Sequence, residues 1–424
     1  MAKSKKVLIL TYYWPPSGGS GVQRWMYFAK YLKKLGWEPI VLTVDDQFAS
    51  YPVIDQTLEE QVKGIRVIKT ATREPLRWYS KLFSGSSTNE IPQGEVNTKG
   101  LTRKIAAFIR GNFFIPDARK GWVPFATKVA SDLLQKETIH HLITTGPPHS
   151  THLAGQALKK KFQLNWWADF RDPWSTIFYN QDLYRLARSI KKDKAFEKNI
   201  VQNADGILTT VSGAFHEELK VIAPNQRFIA IPNGYDEELI NSSERVPLED
   251  VFHVVYTGLL THNQDYKPVL EILSKLSKKH KIRFSLAGNI RKEIIDEIRE
   301  KLPEVHMIYL GYITHKKAVD LTKSAHLLLN FIFRGAETQM ISGKLLEYLA
   351  TGTPVLSFGD PTSPLANFIK QGSHADLLDK SDNKGIQSFI ESVIETTPQN
   401  NFPNIQKWSR KELTKDLVKS VLHS

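Results

Sequence analysis

Short apolar runs alternate along the chain with stretches in which apolar residues recur at helical spacing. Runs such as Val7-Leu8-Ile9-Leu10 and Ile40-Val41-Leu42 carry no polar alternation, which marks strands buried on both faces of a parallel sheet. The pattern predicts strands over 7–11, 40–44, 139–144, 164–168, 206–211 and 228–231, with helices over 22–35, 150–160 and 186–203 between them. The turn Pro232-Asn233-Gly234-Tyr235-Asp236 and a polar linker over 236–250 interrupt the rhythm. It then restarts, with strands expected over 252–257, 282–287, 307–310, 327–331 and 355–358, and a last helix over 408–422. The expected class is α/β, with two Rossmann-like doubly wound parallel-sheet domains over 1–236 and 251–406.

Length agrees with two cores, since 424 residues exceed what one domain usually holds. The absence of cysteine removes disulfides and thiolate chemistry. The opening MAKSKKVLIL has too short an apolar run for a signal peptide, and no later run approaches the roughly 20 residues of a spanning helix. A cytoplasmic protein is expected.

Charge changes the picture in one region. The formal net charge is +13, and residues 61–130 hold 13 Lys and Arg against Glu74, Glu90, Glu95 and Asp117. Between 73 and 122 these cations are interleaved with Trp78, Tyr79, Phe83, Phe108, Phe113, Phe114 and Trp122. Leu101, Ile105, Phe108 and Ile109 have helical spacing, with Arg103, Lys104 and Arg110 on the other side. Such a stretch either meets an anionic membrane surface or packs on its own domain with a solvated basic rim. No nucleic-acid motif accompanies it, so nucleic acid is not an expected partner.

Candidate chemistry gathers at the ends of the predicted strands, where parallel sheets bind ligands. After the first strand, YYWPPSGGSG brings Gly18, Gly19 and Gly21 before a helix whose first turn carries Arg24, a loop suited to a phosphate or an acceptor. It lacks the G-x-G-x-x-G spacing of dinucleotide binders, which disfavours a nicotinamide-dependent oxidoreductase. Two neighbouring strand ends carry His149 in TTGPPHS, and Asp169, Arg171 and Asp172 in DFRDPW. His149 and His152 either contact a sugar or cap their own helix, and Arg171 between two acids either serves the site or is neutralised by them. Asp45-Asp46 has no further ligand cluster at metal spacing, and no metal is expected.

In the second half the strand ends carry Gly258, then Gly288-Asn289, then Gly311-Tyr312-Ile313. Ser342-Gly343-Lys344 opens a helix, and Glu347 follows Lys344 on the same face. A helix N-terminus with a lysine in its first turn suits a diphosphate, and a carboxylate one turn on suits a ribose diol. The plainer alternative is an exposed ion pair between Lys344 and Glu347, worth a few tenths of a kcal/mol at about that spacing.

Residues 347–355, Glu-Tyr-Leu-Ala-Thr-Gly-Thr-Pro-Val, resemble the nucleotide-sugar helix of retaining GT-B glycosyltransferases of family 4, the group 1 type. PPHS and DFRDPW resemble acceptor-side loops of a bacterial surface-polysaccharide subgroup of that family. The resemblance implies a GT-B fold with the two domains facing a cleft and the helix over 407–424 packing back on the first. It implies transfer of a sugar from a nucleotide diphosphate sugar to a hydroxyl acceptor, with retention and without a cofactor or metal. The donor side would be Glu347 at the ribose, Lys344, Ser342, Gly343, Gly258, Gly288 and Arg334 at the diphosphate, and Gly311, Tyr312 and Ile313 at the base. Asp172, Arg171, Gln339 and Lys344 are the catalytic candidates, and Gly19, Gly21, Arg24, His149 and Asp169 form the acceptor or phosphate loop.

Two positions depart from the family pattern. Gln339 stands where a second glutamate is usual, with Glu337 two residues earlier. The Arg/Lys pair usual after the first strand of the second domain is replaced by Gly258-Leu259-Leu260-Thr261, which leaves Lys344 and Arg334 to answer the diphosphate. With the basic aromatic stretch, the expected acceptor is a lipid-linked or membrane-proximal glycan, handled by an enzyme peripheral to the inner face of the membrane. The alternatives are a nucleotide-sugar epimerase on the same fold and a noncatalytic nucleotide-sugar or glycan-binding relative.

Overall fold

The computed structural model describes residues 5–51, 53–74, 101–246, 248–334 and 341–423. The chain divides into two compact units, Met1–Pro232 with Leu413–Ser424, and Asn233–Glu412. In the last segment, the helix Arg410–Leu417 and the π-turn Val418–Leu422, the division falls after Glu412.

The first unit is built on a seven-stranded sheet, β1 (Lys6–Leu10), β2 (Glu38–Val44), β3 (Arg66–Thr70), β4 (His141–Gly146), β5 (Asn165–Phe170), β6 (Gly206–Thr209) and β7 (Phe228–Ala230). Its order is β3-β2-β1-β4-β5-β6-β7, and every pairing is parallel. The second unit repeats the plan with β8 (Phe252–Thr257), β9 (Ile282–Ala287), β10 (His306–Tyr309), β11 (Leu327–Phe331), β12 (Val355–Phe358) and β13 (Ala375–Leu378), ordered β10-β9-β8-β11-β12-β13. Its pairings are parallel too. Both orders reverse direction beside the first strand of the unit, which opens a crevice at the carboxyl edge between β1 and β4 and between β8 and β11.

Helices cover both faces, so the central strands are buried and mostly apolar. Val7 to Leu10 and Leu327 to Leu329 have no exposed surface. Two strands escape the sequence pattern. In β3 the run Arg-Val-Ile-Lys-Thr is half-exposed, and in β13 Ala-Asp-Leu-Leu alternates buried with half-buried positions. Each has a strand on one side only, so it needs neither a long nor a fully apolar run.

One part of the basic stretch is core. Trp122 is fully buried and donates from Nε1 to Thr70 Oγ1 at 2.7 Å, which removes it from any membrane-facing surface. The reason is its place in the short turn Lys120–Trp122, which tucks the indole under the end of β3. Trp78, Tyr79 and Phe83 lie outside the described residues.

Glycines shape the crevice of the second unit. Gly288 has φ +124°, and a Cβ there would stand 2.2 Å from the carbonyl oxygen of Gly258. The ends of β8 and β9 therefore approach more closely than any side chain permits. Gly288→Ala is expected to cost about 2 kcal/mol or more through strain and backbone displacement. Urea unfolding of wild type and variant checks this.

Candidate functional site

At the carboxyl edge of the second sheet, the helix Gly343–Ala350 buries Leu345, Leu346, Tyr348 and Leu349 and turns Lys344 and Glu347 away from that core. The two side chains do not pair with each other. Lys344 Nζ donates to Tyr256 Oη at 2.9 Å and sits 4.0 Å from the centre of the Tyr256 ring, in a cation–π contact. Tyr256 belongs to β8, and a Cβ at Gly258 would lie 3.7 Å from the same Nζ. The ammonium therefore stands at the crevice between β8 and β11. Burial pushes its pKa down to about 7, because neither the hydroxyl nor the ring replaces the lost hydration.

Glu347 is held differently. His315 Nε2 lies 2.8 Å from its Oε1, and Arg410 Nη2 donates to the same oxygen at 3.3 Å. Burial works to raise the carboxyl pKa, but the charge and hydrogen bonds of His315 and Arg410 outweigh it and hold the group below the usual glutamate range. Oε2 has no hydrogen-bond partner among the described residues and remains an acceptor for an incoming diol. Arg410 is itself fixed, donating from Nε to the Asn233 carbonyl at 3.3 Å. At the helix start Ser342 Oγ is buried without a partner, beside the first-turn amides.

The glycine turns lie at the neighbouring strand ends. Gly288 N donates to Gly311 O at 2.7 Å, and Tyr312 beyond it is exposed while Ile313 is half-buried. Arg334 is engaged elsewhere. Its Nε and Nη2 both donate to Asp265 Oδ1, and Lys380 adds a second cation to that carboxylate. Arg334, expected at the diphosphate, is held here in a surface ion pair, and among the described residues Lys344 is the cation that lies at the end of β8. Gln339 and Glu337 lie outside the described residues.

In the first unit two of the expected site residues bond to each other. Arg24 is buried and spends its guanidinium on Asp169, with Nε at 3.1 and 3.2 Å and Nη2 at 2.8 Å, while Nη1 donates to the carbonyls of Ile231 and Pro232. Asp169 also accepts from Trp25 Nε1 and Thr145 Oγ1. Both residues form a buried structural network, because a charge without water must be answered on all sides. Arg171 likewise donates to the carbonyls of Gly146, Gly21 and Pro147, tying the glycine loop to the loop after β4. Gly19 takes φ +85° in that loop, and Gly21 supplies one of the carbonyls Arg171 holds.

Asp172 is the carboxylate left over. It is half-buried, has no hydrogen bond among the described residues, and burial raises its pKa despite the opposing charge of Arg171. His149 stacks on Trp174 at 4.7 Å, and His152 stacks on Phe170 at 4.8 Å. Burial lowers both imidazole pKa values, that of His152 to about 3, so both rings are neutral near pH 7. His149 Nδ1 and His152 Nε2 are buried without partners.

His315, Arg410 and Tyr256 were not legible as site residues. They stand 32, 63 and 88 positions from the helix residues they serve, His315 from Glu347, Arg410 from Glu347 and Tyr256 from Lys344. Among the described residues no group of three His, Asp or Glu is arranged to hold a metal ion, and no helix is long and apolar enough to cross a membrane.

Residues 251–396, which carry this crevice, match the family model described as glycosyl transferases group 1. No curated protein matches the chain in sequence. Solved structures match it over nearly their whole length. Anabaena Alr3699/HepE in complex with UDP is 10% identical at a TM-score of 0.63, covering 99% of this chain and 100% of that one. Sucrose-phosphate synthase (tll1590) from Thermosynechococcus elongatus is 13% identical at 0.57, covering 98% and 94%. The lipopolysaccharide outer core galactosyltransferase WaaB is 13% identical at 0.58, covering 99% of each chain. The fold is GT-B, and the family match falls within its second unit.

Two outcomes follow from the charges. Asp169→Ala strands the Arg24 guanidinium in the core and is expected to cost roughly 3–5 kcal/mol, read from urea unfolding. For Lys344 the folded pKa of about 7 lies below the ordinary 10.5, so between these values the unfolded chain holds a proton that the native protein lacks. Stability should therefore rise with pH from about 7 toward the lysine range, and Lys344→Met should flatten that rise.

Proposed function

We propose that the protein transfers a sugar from a nucleotide diphosphate sugar to a hydroxyl acceptor with retention of configuration. The carrying observation is the separation of Lys344 from Glu347. One helix presents a cation at the crevice and, one turn later, a carboxylate with an open oxygen. The cation and the first-turn amides suit the diphosphate, and the carboxylate suits the ribose diol. As the bond from the sugar to the diphosphate breaks, negative charge grows on the leaving oxygen, and Lys344 is placed to stabilise it. No metal or cofactor is needed for that step in this reading.

The first unit then takes the acceptor. Asp172, with its unanswered carboxylate, is the group there that can accept a hydrogen bond from an acceptor hydroxyl, and His149 with Trp174 offers a flat apolar wall. A lipid-linked or membrane-proximal glycan is the acceptor class that the basic, partly apolar surface of this unit favours, which would place the enzyme at the inner face of a membrane. A specific observation keeps a second reading in view: the chain lacks the cation pair after β8, as a noncatalytic nucleotide-sugar-binding relative would.

Thermal unfolding with UDP-, GDP- and dTDP-sugars tests the donor site, with UDP-glucose first because a neighbour of the same fold is solved with it. One nucleotide class should stabilise the protein, since a ligand of the native state raises its stability by mass action. Glu347→Ala should weaken that binding by roughly tenfold or more. Lys344 is protonated below about 7, so binding should weaken as pH rises through that value, and not in Lys344→Met. Donor binding without turnover on any acceptor would favour the binding relative, and sugar interconversion without acceptor would favour an epimerase.

A further inference from the structure

The helix Leu101–Phe113 packs on its own unit by its small residues. Ala107 is buried, and a Cβ at Gly111 would lie 2.5 Å from the carbonyl oxygen of Leu183. Its large apolar residues point the other way, with Ile105 at 49%, Phe108 at 36% and Phe113 at 69% exposure. This inverts the usual arrangement, in which the apolar stripe of a helix faces the core. At its C-terminal end a cavity of about 310 Å³ opens, walled by Phe113, Phe114 and Ile115 and rimmed by Arg73 and Lys120.

The cations of this cavity are unanswered. Among the described residues neither Arg73 nor Lys120 has a carboxylate in ion-pair range; they lie over the rings of Phe125 and Phe196 at 5.9 and 5.2 Å. Lys192 adds a third positive charge near Lys120. Asp117 also lines the cavity, but its carboxylate is spent. Oδ1 accepts from Ser150 Oγ and Arg119 N, and Oδ2 accepts from Ser150 N. The same bonds join the cavity wall to the loop after β4 that carries His149.

We propose that the cavity and the outward face of this helix bind a lipid phosphate, the phosphate between Arg73 and Lys120 and the hydrocarbon along Phe113, Phe108 and Ile105. Charge complementarity selects the head group, since a dianion meets the cations Arg73 and Lys120 while the Asp117 carboxylate, which acts on Lys120, is turned to Ser150 and the Arg119 amide. The apolar stripe selects a tail, which inorganic phosphate lacks. Resting on the reading of the first unit as acceptor domain, this names the acceptor class as a glycan carried on a lipid phosphate or diphosphate. The Asp117–Ser150 link then puts the first sugar beyond the phosphate toward the His149 loop.

The test uses the full chain with phosphatidylcholine vesicles, with and without a long-chain alkyl phosphate, in a flotation assay. Wild type should float with the doped vesicles only. The charge variant Arg73→Gln/Lys120→Gln should lose roughly thirtyfold in affinity, as expected for removing two surface cations at a membrane. The apolar variant Ile105→Ser/Phe108→Ser/Phe113→Ser should lose binding comparably, and inorganic phosphate at the same concentration should not compete. Equal flotation of both variants and wild type would overturn the proposal. So would flotation that ignores the alkyl phosphate, or binding displaced by inorganic phosphate and insensitive to the apolar variant, which would mark a free-phosphate site. UDP stabilisation of each variant serves as control. If it persists while lipid binding fails, the lipid proposal alone falls; if wild type shows no nucleotide shift, the donor reading falls instead.

Discussion

A parallel sheet covered by helices on both faces leaves its carboxyl edge as the place where polar groups can gather without being buried unpaired. Everything chemical in this chain follows from that constraint, applied twice. In the second unit the edge between β8 and β11 receives Lys344, Glu347 and the turns at Gly258, Gly288 and Gly311. In the first unit the edge between β1 and β4 receives the glycine loop, the His149 loop and Asp172. At the same edge β8 and β9 approach closely at Gly258 and Gly288, and a lysine from a distant helix lies against Tyr256 of β8.

The two edges treat their charges in opposite ways. In the first unit Arg24, Asp169 and Arg171 are each answered by several internal partners, and they hold loops and strand ends in place rather than face a ligand. In the second unit the ammonium of Lys344 has only a phenol hydroxyl and a ring, which is why burial lowers its pKa so far. A buried charge answered on all sides stabilises a fold and has little left for a ligand. One left partly unanswered costs stability and becomes a binding group. By that criterion Lys344, Glu347 Oε2 and Asp172 keep capacity for a ligand, and Arg24 keeps little.

Much of the architecture was legible along the chain. Central strands such as Val7 to Leu10 and Leu327 to Leu329 are apolar because both faces are covered, so they appear as unbroken runs. Edge strands β3 and β13 escaped notice because one missing neighbour relaxes that demand. The helix over 101–113 was legible as amphipathic, but not which side packs. A stripe of large apolar residues ordinarily faces inward, and here Ala107 and Gly111 do so, Gly111 because a Cβ there would meet Leu183. Trp122 shows the reverse error, since an aromatic beside cations reads as surface until a partner such as Thr70 is known.

By itself the sequence determined two α/β units, the position of the crevice helix, and the identity of Lys344 and Glu347 as its polar pair, because period, glycine turns and helix starts are local properties. Tertiary structure decided how each charge is used. Whether Arg24 meets a ligand or Asp169, whether Lys344 pairs with Glu347 or lies on Tyr256, and whether Glu347 is held by His315 and Arg410 all depend on residues far away in the chain. Electrostatic partnership acts through space, and helical or strand periodicity carries no record of it.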